Sequence, residues 1–120
     1  LNALAPVGSL ADKARVALLR RRILSGDLDE VWTRPERRTR DLLVDEGFSA
    51  EMIERFFRPF FGGVLFDPEL DTSSRMFEFT FRMFALGDSA VPAAGMGAIP
   101  AQLAASLPPD VVRTGVRVVG

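Results

Sequence analysis

The sequence predicts a mainly α-helical fold that ends in a single short β-strand. Three observations predict it. Apolar residues recur at helical spacing from Ser9 to Leu107. Four of the periodic runs open at a Ser or Thr and stop at a Gly. Only "VVRTGVRVV", residues 111–119, is β-branched and partly alternating.

Ser9 with Asp12 three residues on forms a capping box, and the helix "LADKARVALLRRRILS" runs to Gly26. "DLDEVW" follows as a polar connector. Thr33 and Glu36 make a second capping box, with Pro35 in the first turn, so "RPERRTRDLLVDE" is expected as a helix stopping at Gly47. Ser49 caps a third helix, "AEMIERFFRPFF", which Gly62-Gly63 should end and Pro59 should kink or end early. After the turn "FDPELD", Thr72 or Ser73 caps "SRMFEFTFRMFAL", stopped by Gly87. "GDSAVPAAGMG" reads as a loop, and "AIPAQLAASL" as a short helix broken by Pro108-Pro109. The final strand has no evident partner here, so its sheet is expected in sequence outside these residues.

With 120 residues the chain forms one domain or a piece of a larger one. A net charge of −1 argues against nucleic acid as a partner. The charge is uneven: residues 10–40 carry nine basic and five acidic groups, residues 41–90 four and ten. No Cys is present, which removes disulfides and thiolate chemistry and fits a reducing, cytoplasmic compartment. No apolar run reaches the ~18 residues of a spanning helix. "LNALAPVGSL" has neither an initiator Met nor a basic leader, so an internal origin is expected.

All ten phenylalanines lie between Phe48 and Phe84. On a helical wheel, Met76, Phe77, Phe79, Phe81, Met83, Phe84 and Leu86 sweep roughly 220°, leaving Glu78 and Arg82 the remaining side. Met52, Ile53, Phe56, Phe57, Phe60 and Phe61 cover about 200°, beside a ridge of Glu54 and Arg58. A surface helix needs an apolar stripe of only about 100° or a little more. Both helices therefore meet apolar material on more than one side. That material is a packed core, a cavity for an apolar ligand, or a membrane or partner surface, and one helix can serve two of these. On the cavity reading, Phe56, Phe57, Phe60, Phe61, Phe77, Phe81 and Phe84 are the candidate substrate-binding residues.

Little catalytic machinery is present. Without His or Cys there is no Ser-His or Cys-His pair, and no catalytic side chain is assigned. Asp67, Glu69 and Asp71 lack EF-hand spacing and read as a solvated loop, so no metal is expected. Arg15, Arg20, Arg21 and Arg22 spread around their helix, and the run at 20–22 reads as a solvated or ion-paired helix end. "GMGAIP", residues 95–100, imitates a dinucleotide fingerprint, but Pro100 replaces the third glycine and no strong strand precedes it. Gly95 and Gly97 still permit close backbone approach, and the amides that open the next helix are expected to be unpaired.

Nearly the whole chain resembles one family. "GFSAEMIERFFRPFFGGV", "LDTSSRMFEFTFRMFALGD", "VPAAGMGAIPAQLA" and the strand ending in "VRVV", in that order, are similar to the middle of flavin-dependent amine-oxidase-like oxidoreductases, nearest to bacterial relatives of phytoene desaturase and protoporphyrinogen oxidase. "PVGSLADKARVALLRRRIL" fits as well. The resemblance implies that residues 1–92 are the helical substrate-binding (cap) region of a two-domain FAD oxidoreductase. It implies that residues 93–120 return to the FAD-binding domain, whose sheet the last strand joins. Val118 matches a position near the FAD adenine. Gly95, Met96 and Gly97 match the segment that runs toward flavin and substrate. The family's N-terminal glycine-rich fingerprint and its C-terminal flavin-contacting part have no counterpart here, so these residues are read as an internal piece of a longer enzyme. The longer enzyme would pass a hydride to FAD from a hydrophobic or ring-bearing small molecule: a polyene, a tetrapyrrole precursor or an amine. It would touch a membrane only peripherally. The piece alone should hold no FAD, show no activity and self-associate. The rival reading is a non-catalytic helical module for an apolar ligand or protein partner.

Overall fold

The structure is a computed structural model, which describes residues 7–119. The described residues are mainly helical and form two compact units that divide between Gly87 and Asp88. No helix among them is long and apolar enough to cross a membrane.

In the first unit, α1 spans Leu10–Leu24 behind the capping box of Ser9 and Asp12. It stops at Ser25, and Gly26 follows with a φ of 83°, a left-handed conformation that glycine adopts without steric cost. Val16, Leu19 and Ile23 form its buried stripe. The expected helix from Arg34 does not form. A short α2, Glu30–Thr33, occupies the connector instead, and the Thr33 hydroxyl donates to the carbonyl of Glu30 rather than capping anything downstream. Pro35 disfavours helical backbone at the residue before it, and Arg34 is extended, with ψ 154°. The backbone at 37–39, extended as far as Arg38, then bonds across to 72–74: Thr39 N–H to Thr72 O at 2.9 Å, and Ser74 N–H to Arg37 O at 2.8 Å. Helix resumes only at α3, Thr39–Asp45, ahead of Gly47.

Ser49 caps the next helix, its hydroxyl accepting from the Met52 amide. This helix neither ends early nor stops at Gly62. It runs as α4, Ala50–Met52, through one π-helical stretch, Ile53–Phe57, into α5, Arg58–Val64. The wider π turn, in which Arg58 N–H bonds to Ile53 O, lies just ahead of Pro59 and accommodates the ring and its missing donor. The stop comes at Leu65. Asp67 N–H bonds to Gly62 O at 2.9 Å, and Phe66 takes the left-handed position with φ 54°, where a glycine is usual. Gly62 lies inside the helix because the chain folds back over it: a Cβ there would stand 3.1 Å from Asp67 O and 3.2 Å from Pro68 Cα.

Ser73 caps α6, Ser74–Leu86, whose C-cap is Gly87. This helix packs against α1, α2 and α3, and its rings meet those of α5. The core of the unit joins Val16, Leu19 and Ile23 with Leu42, Leu43, Met52, Ile53 and five phenylalanines. The polar side of α6 does not face solvent. Glu78 is buried and pairs with Arg22 and Arg34, while Arg82 donates to the carbonyls of Ile23 and Gly26 at the end of α1.

In the second unit, α7 spans Ala98–Ala105, after the loop and before Pro108-Pro109 as expected. The expected strand at 111–119 is absent. Among the described residues the only β-type pairing is one antiparallel bridge, Arg38 with Ser73. A strand exists only when its backbone groups meet a neighbouring strand's, and the backbone bond found at residues 111–119, Val111 N–H to Pro108 O at 3.4 Å, closes a local turn.

Candidate functional site

Helical spacing along the π stretch, α5 and α6 sorts the phenylalanines into two sets. Phe57, Phe61, Phe77 and Phe81 point inward and are buried. Phe61 and Phe77 stand edge to face with centroids 4.7 Å apart, Phe57 reaches Phe77 at 6.0 Å, and Phe61 reaches Phe81 at 6.0 Å. Phe48 closes the cluster against Phe57 at 4.8 Å. These rings have only protein around them, so they are core residues.

The second set forms a row on the surface. Phe56 is half-buried, and its ring lies within 3° of parallel to that of Phe60 at 6.0 Å. Phe60 in turn meets Phe84 of α6 at 5.4 Å. Phe60 and Phe84 remain 43% and 46% exposed. Phe60 also touches the core edge-on through Phe61, at 5.0 Å. Three rings are thus open to an incoming ligand and held from behind by a rigid aromatic cluster. Such a surface offers ring faces on which a flat apolar molecule can stack. It has no group for acid–base or nucleophilic work.

The remaining candidates lie in the second unit. Gly95 adopts φ 83° and closes a turn, with its N–H on Pro92 O at 2.9 Å. Gly97 has φ −62°, which any residue can adopt. Met96 is exposed between them, and the Val118 side chain is 90% exposed. The opening amides of α7 are not free as expected: Ala98 N–H bonds to Gly95 O and Ile99 N–H to Met96 O, at 3.1 and 3.3 Å. Pro100 has no N–H to offer. A pyrophosphate cradle needs several unengaged amides at a helix start, so these residues do not compose a flavin site.

No group of acidic residues among the described ones could hold a metal. Asp67 instead accepts from the Thr72 hydroxyl and amide, bonds that draw it below its ordinary value. Arg22, Arg34, Arg37 and Arg75 line one cleft with Glu78, an arrangement that sequence alone does not reveal. The visible trace was the basic excess of residues 10–40. The approach of arginines from three segments depends on the fold.

No curated protein and no solved structure gives a match to this chain. One family does match, over residues 10–120, and by that match the chain belongs to the flavin containing amine oxidoreductases.

Proposed function

We propose that the chain is the helical substrate-binding region of a longer FAD-dependent oxidoreductase that takes a hydrophobic or ring-bearing small molecule. A polyene, a tetrapyrrole precursor and an amine all suit the surface. The observation that carries this reading is the exposed row of Phe56, Phe60 and Phe84 backed by a buried aromatic cluster, in a chain of this family. The chemistry needs no nucleophile from these residues, because bound flavin supplies hydride acceptance. Phe56, Phe60 and Phe84 receive the substrate and keep water from it. Phe57, Phe61, Phe77 and Phe81 hold those rings in place. Met96, between Gly95 and Gly97, is a further substrate-binding residue in the longer protein, and residues 111–119 become a strand on joining its FAD-domain sheet, with Val118 against the adenine. We place the longer enzyme in the cytoplasm, in peripheral contact with a membrane at most.

The test uses the full-length protein under anaerobic conditions. A polyene, a tetrapyrrole precursor and an amine are each offered, and loss of oxidised-flavin absorbance is followed. At least one class should bleach the flavin. The Phe60→Ala/Phe84→Ala double variant should then raise KM about tenfold or more with little change in melting temperature, the loss of two ring contacts of about 1 kcal/mol each. Failure of all three classes to bleach the flavin, or an unchanged KM in the double variant, would refute the assignment.

A further inference from the structure

Four arginines from three segments of the chain share one cleft of about 300 Å³ in the first unit. Arg22 arrives on the last turn of α1, and Arg75 on the first turn of α6 beside Ser74. Arg34 and Arg37 arrive on the extended segment that Pro35 enforces. One buried carboxylate, Glu78, lines the cleft with them. The lining therefore carries four positive charges against one negative.

Both oxygens of Glu78 are committed. Oε1 lies 3.1 Å from Arg22 Nη2, and Oε2 accepts from Arg34 Nη1. The outer partners are weak competitors. Arg37 pairs with Asp45, whose side chain is 63% exposed, and Arg75, whose Nε donates to the Arg34 carbonyl at 2.7 Å, has its Nη1 3.6 Å from Glu36, whose side chain is 58% exposed. Pairs this exposed are worth little and yield readily to another anion. Arg22 is the least satisfied. Its Nη2 is near Glu46 and Glu78, at 3.0 and 3.1 Å, but off the line of a hydrogen bond to either, and its buried Nε has no acceptor. A buried guanidinium donor without an acceptor is costly, and natural structures seldom retain one unless an ion or water serves it. The N-terminal turn of α6 adds the positive end of its dipole.

We propose that this cleft is a binding site for a phosphate group, held by Arg37, Arg75 and the Arg22 edge. It is distinct from the aromatic row and does not depend on the oxidoreductase reading. A tetrahedral dianion fits better than a single carboxylate, because it matches a multiply positive lining and offers an oxygen to each of several guanidinium forks. The alternative is that the arginines only tie α1, α3 and α6 together.

Calorimetric titration of inorganic phosphate into the full-length protein, at constant ionic strength, separates the two. One saturable site should appear in the wild type. Arg37→Gln should weaken it about tenfold or more, the loss of one charge-assisted hydrogen bond, while leaving the phosphate-free melting temperature nearly unchanged. Arg55→Gln should change nothing, since Arg55 lies outside the cleft and pairs with Glu51. Should Arg37→Gln fail to fold, Arg75→Lys, which keeps the charge and loses the fork, should weaken phosphate severalfold. Sedimentation with anionic phospholipid vesicles then identifies the source. Retention that Arg37→Gln abolishes assigns the site to a lipid headgroup. Phosphate binding without retention assigns it to a soluble phosphate ester. Absence of a saturable site, indifference to Arg37→Gln, or equal weakening by Arg55→Gln would overturn the proposal.

Discussion

Asp12 shows how one side chain does more than its local motif requires. It is fully buried, and its carboxylate accepts from the Ser9 amide and hydroxyl at 2.9 and 2.7 Å, as a capping box should. It also accepts from the Ser49 amide and hydroxyl, both at 2.9 Å, and so joins the start of α1 to the cap of α4. Burial alone would raise its pKa, but the bonds from Ser49 and Ser9 together outweigh burial and hold it well below the usual carboxylate range. A depressed folded-state pKa means stability that is present above the unfolded value of about 3.9 and lost as pH falls from there toward the folded one. Acid titration followed by circular dichroism should show this loss, and Asp12→Asn should flatten the Asp12 part of it. At neutral pH the same variant should cost about 1–3 kcal/mol, because donors from two elements lose their acceptor. The phenylalanines divide on the same logic of surroundings. Truncating Phe57 or Phe77 to Ala should cost ~3–5 kcal/mol in chemical denaturation. Truncating Phe60 or Phe84, which are about half exposed, should cost clearly less. Equal losses at all four positions would return the surface row to the core.

The two glycines inside α5 differ from what a stop signal implies. Gly62 is a point of close approach, and Gly63 has open space where its Cβ would be. The left-handed residue that ends the helix is Phe66, 94% exposed. Left-handed backbone costs an L-residue roughly 1–2 kcal/mol. Phe66→Gly relieves that strain and gives up almost no burial, so its melting temperature should rise. Gly62→Ala should lower it, because the neighbouring atoms are backbone and cannot swing away. Most helices were legible because their signals are local. Ser9, Ser49, Ser73, Gly26, Gly47 and Gly87 all mark boundaries that the structure keeps. The exceptions occur at prolines. Pro35 abolished an expected helix start because the 37–39 segment found backbone partners at 72–74. Pro59 was absorbed by a π turn because burying Phe57 and Phe61 on one continuous helix outweighs one lost hydrogen bond.

As an assembly, the chain has an aromatic core in its first unit and little burial in its second. None of residues 98–105 is buried, and 111–119 are exposed throughout. Those apolar residues, with the row of Phe60 and Phe84, should drive association of the chain when it is prepared alone. Sedimentation velocity should show species heavier than 13.2 kDa that increase with concentration; a single monomer peak at every concentration would contradict this. FAD, by contrast, should not bind to the chain alone. The opening amides of α7 are engaged, and one valine contact supplies only ~1–3 kcal/mol of the roughly 7 kcal/mol that a 10 μM complex requires. Saturable quenching of flavin fluorescence below about 10 μM would show that the cofactor site has been misplaced.

Periodicity, caps and glycines specified a helical chain, and the crowding of ten phenylalanines into 37 consecutive residues specified an aromatic centre. The quoted runs in their order also carried the family. These properties depend on neighbours within a few residues, where backbone sterics and side-chain spacing act alone. Which rings are core and which are surface was not legible, because both sets share the same helical wheels and only packing against α1 and α3 separates them. The same holds for Glu78. On its wheel it belonged to a polar side, yet the side of α6 that carries it faces α1 and the Arg34 segment, so the carboxylate is buried among arginines while Phe84 meets solvent. The strand at 111–119 failed to form for a related reason: alternation prepares a strand, but its hydrogen bonds must come from another segment, and tertiary structure alone decides whether one is there.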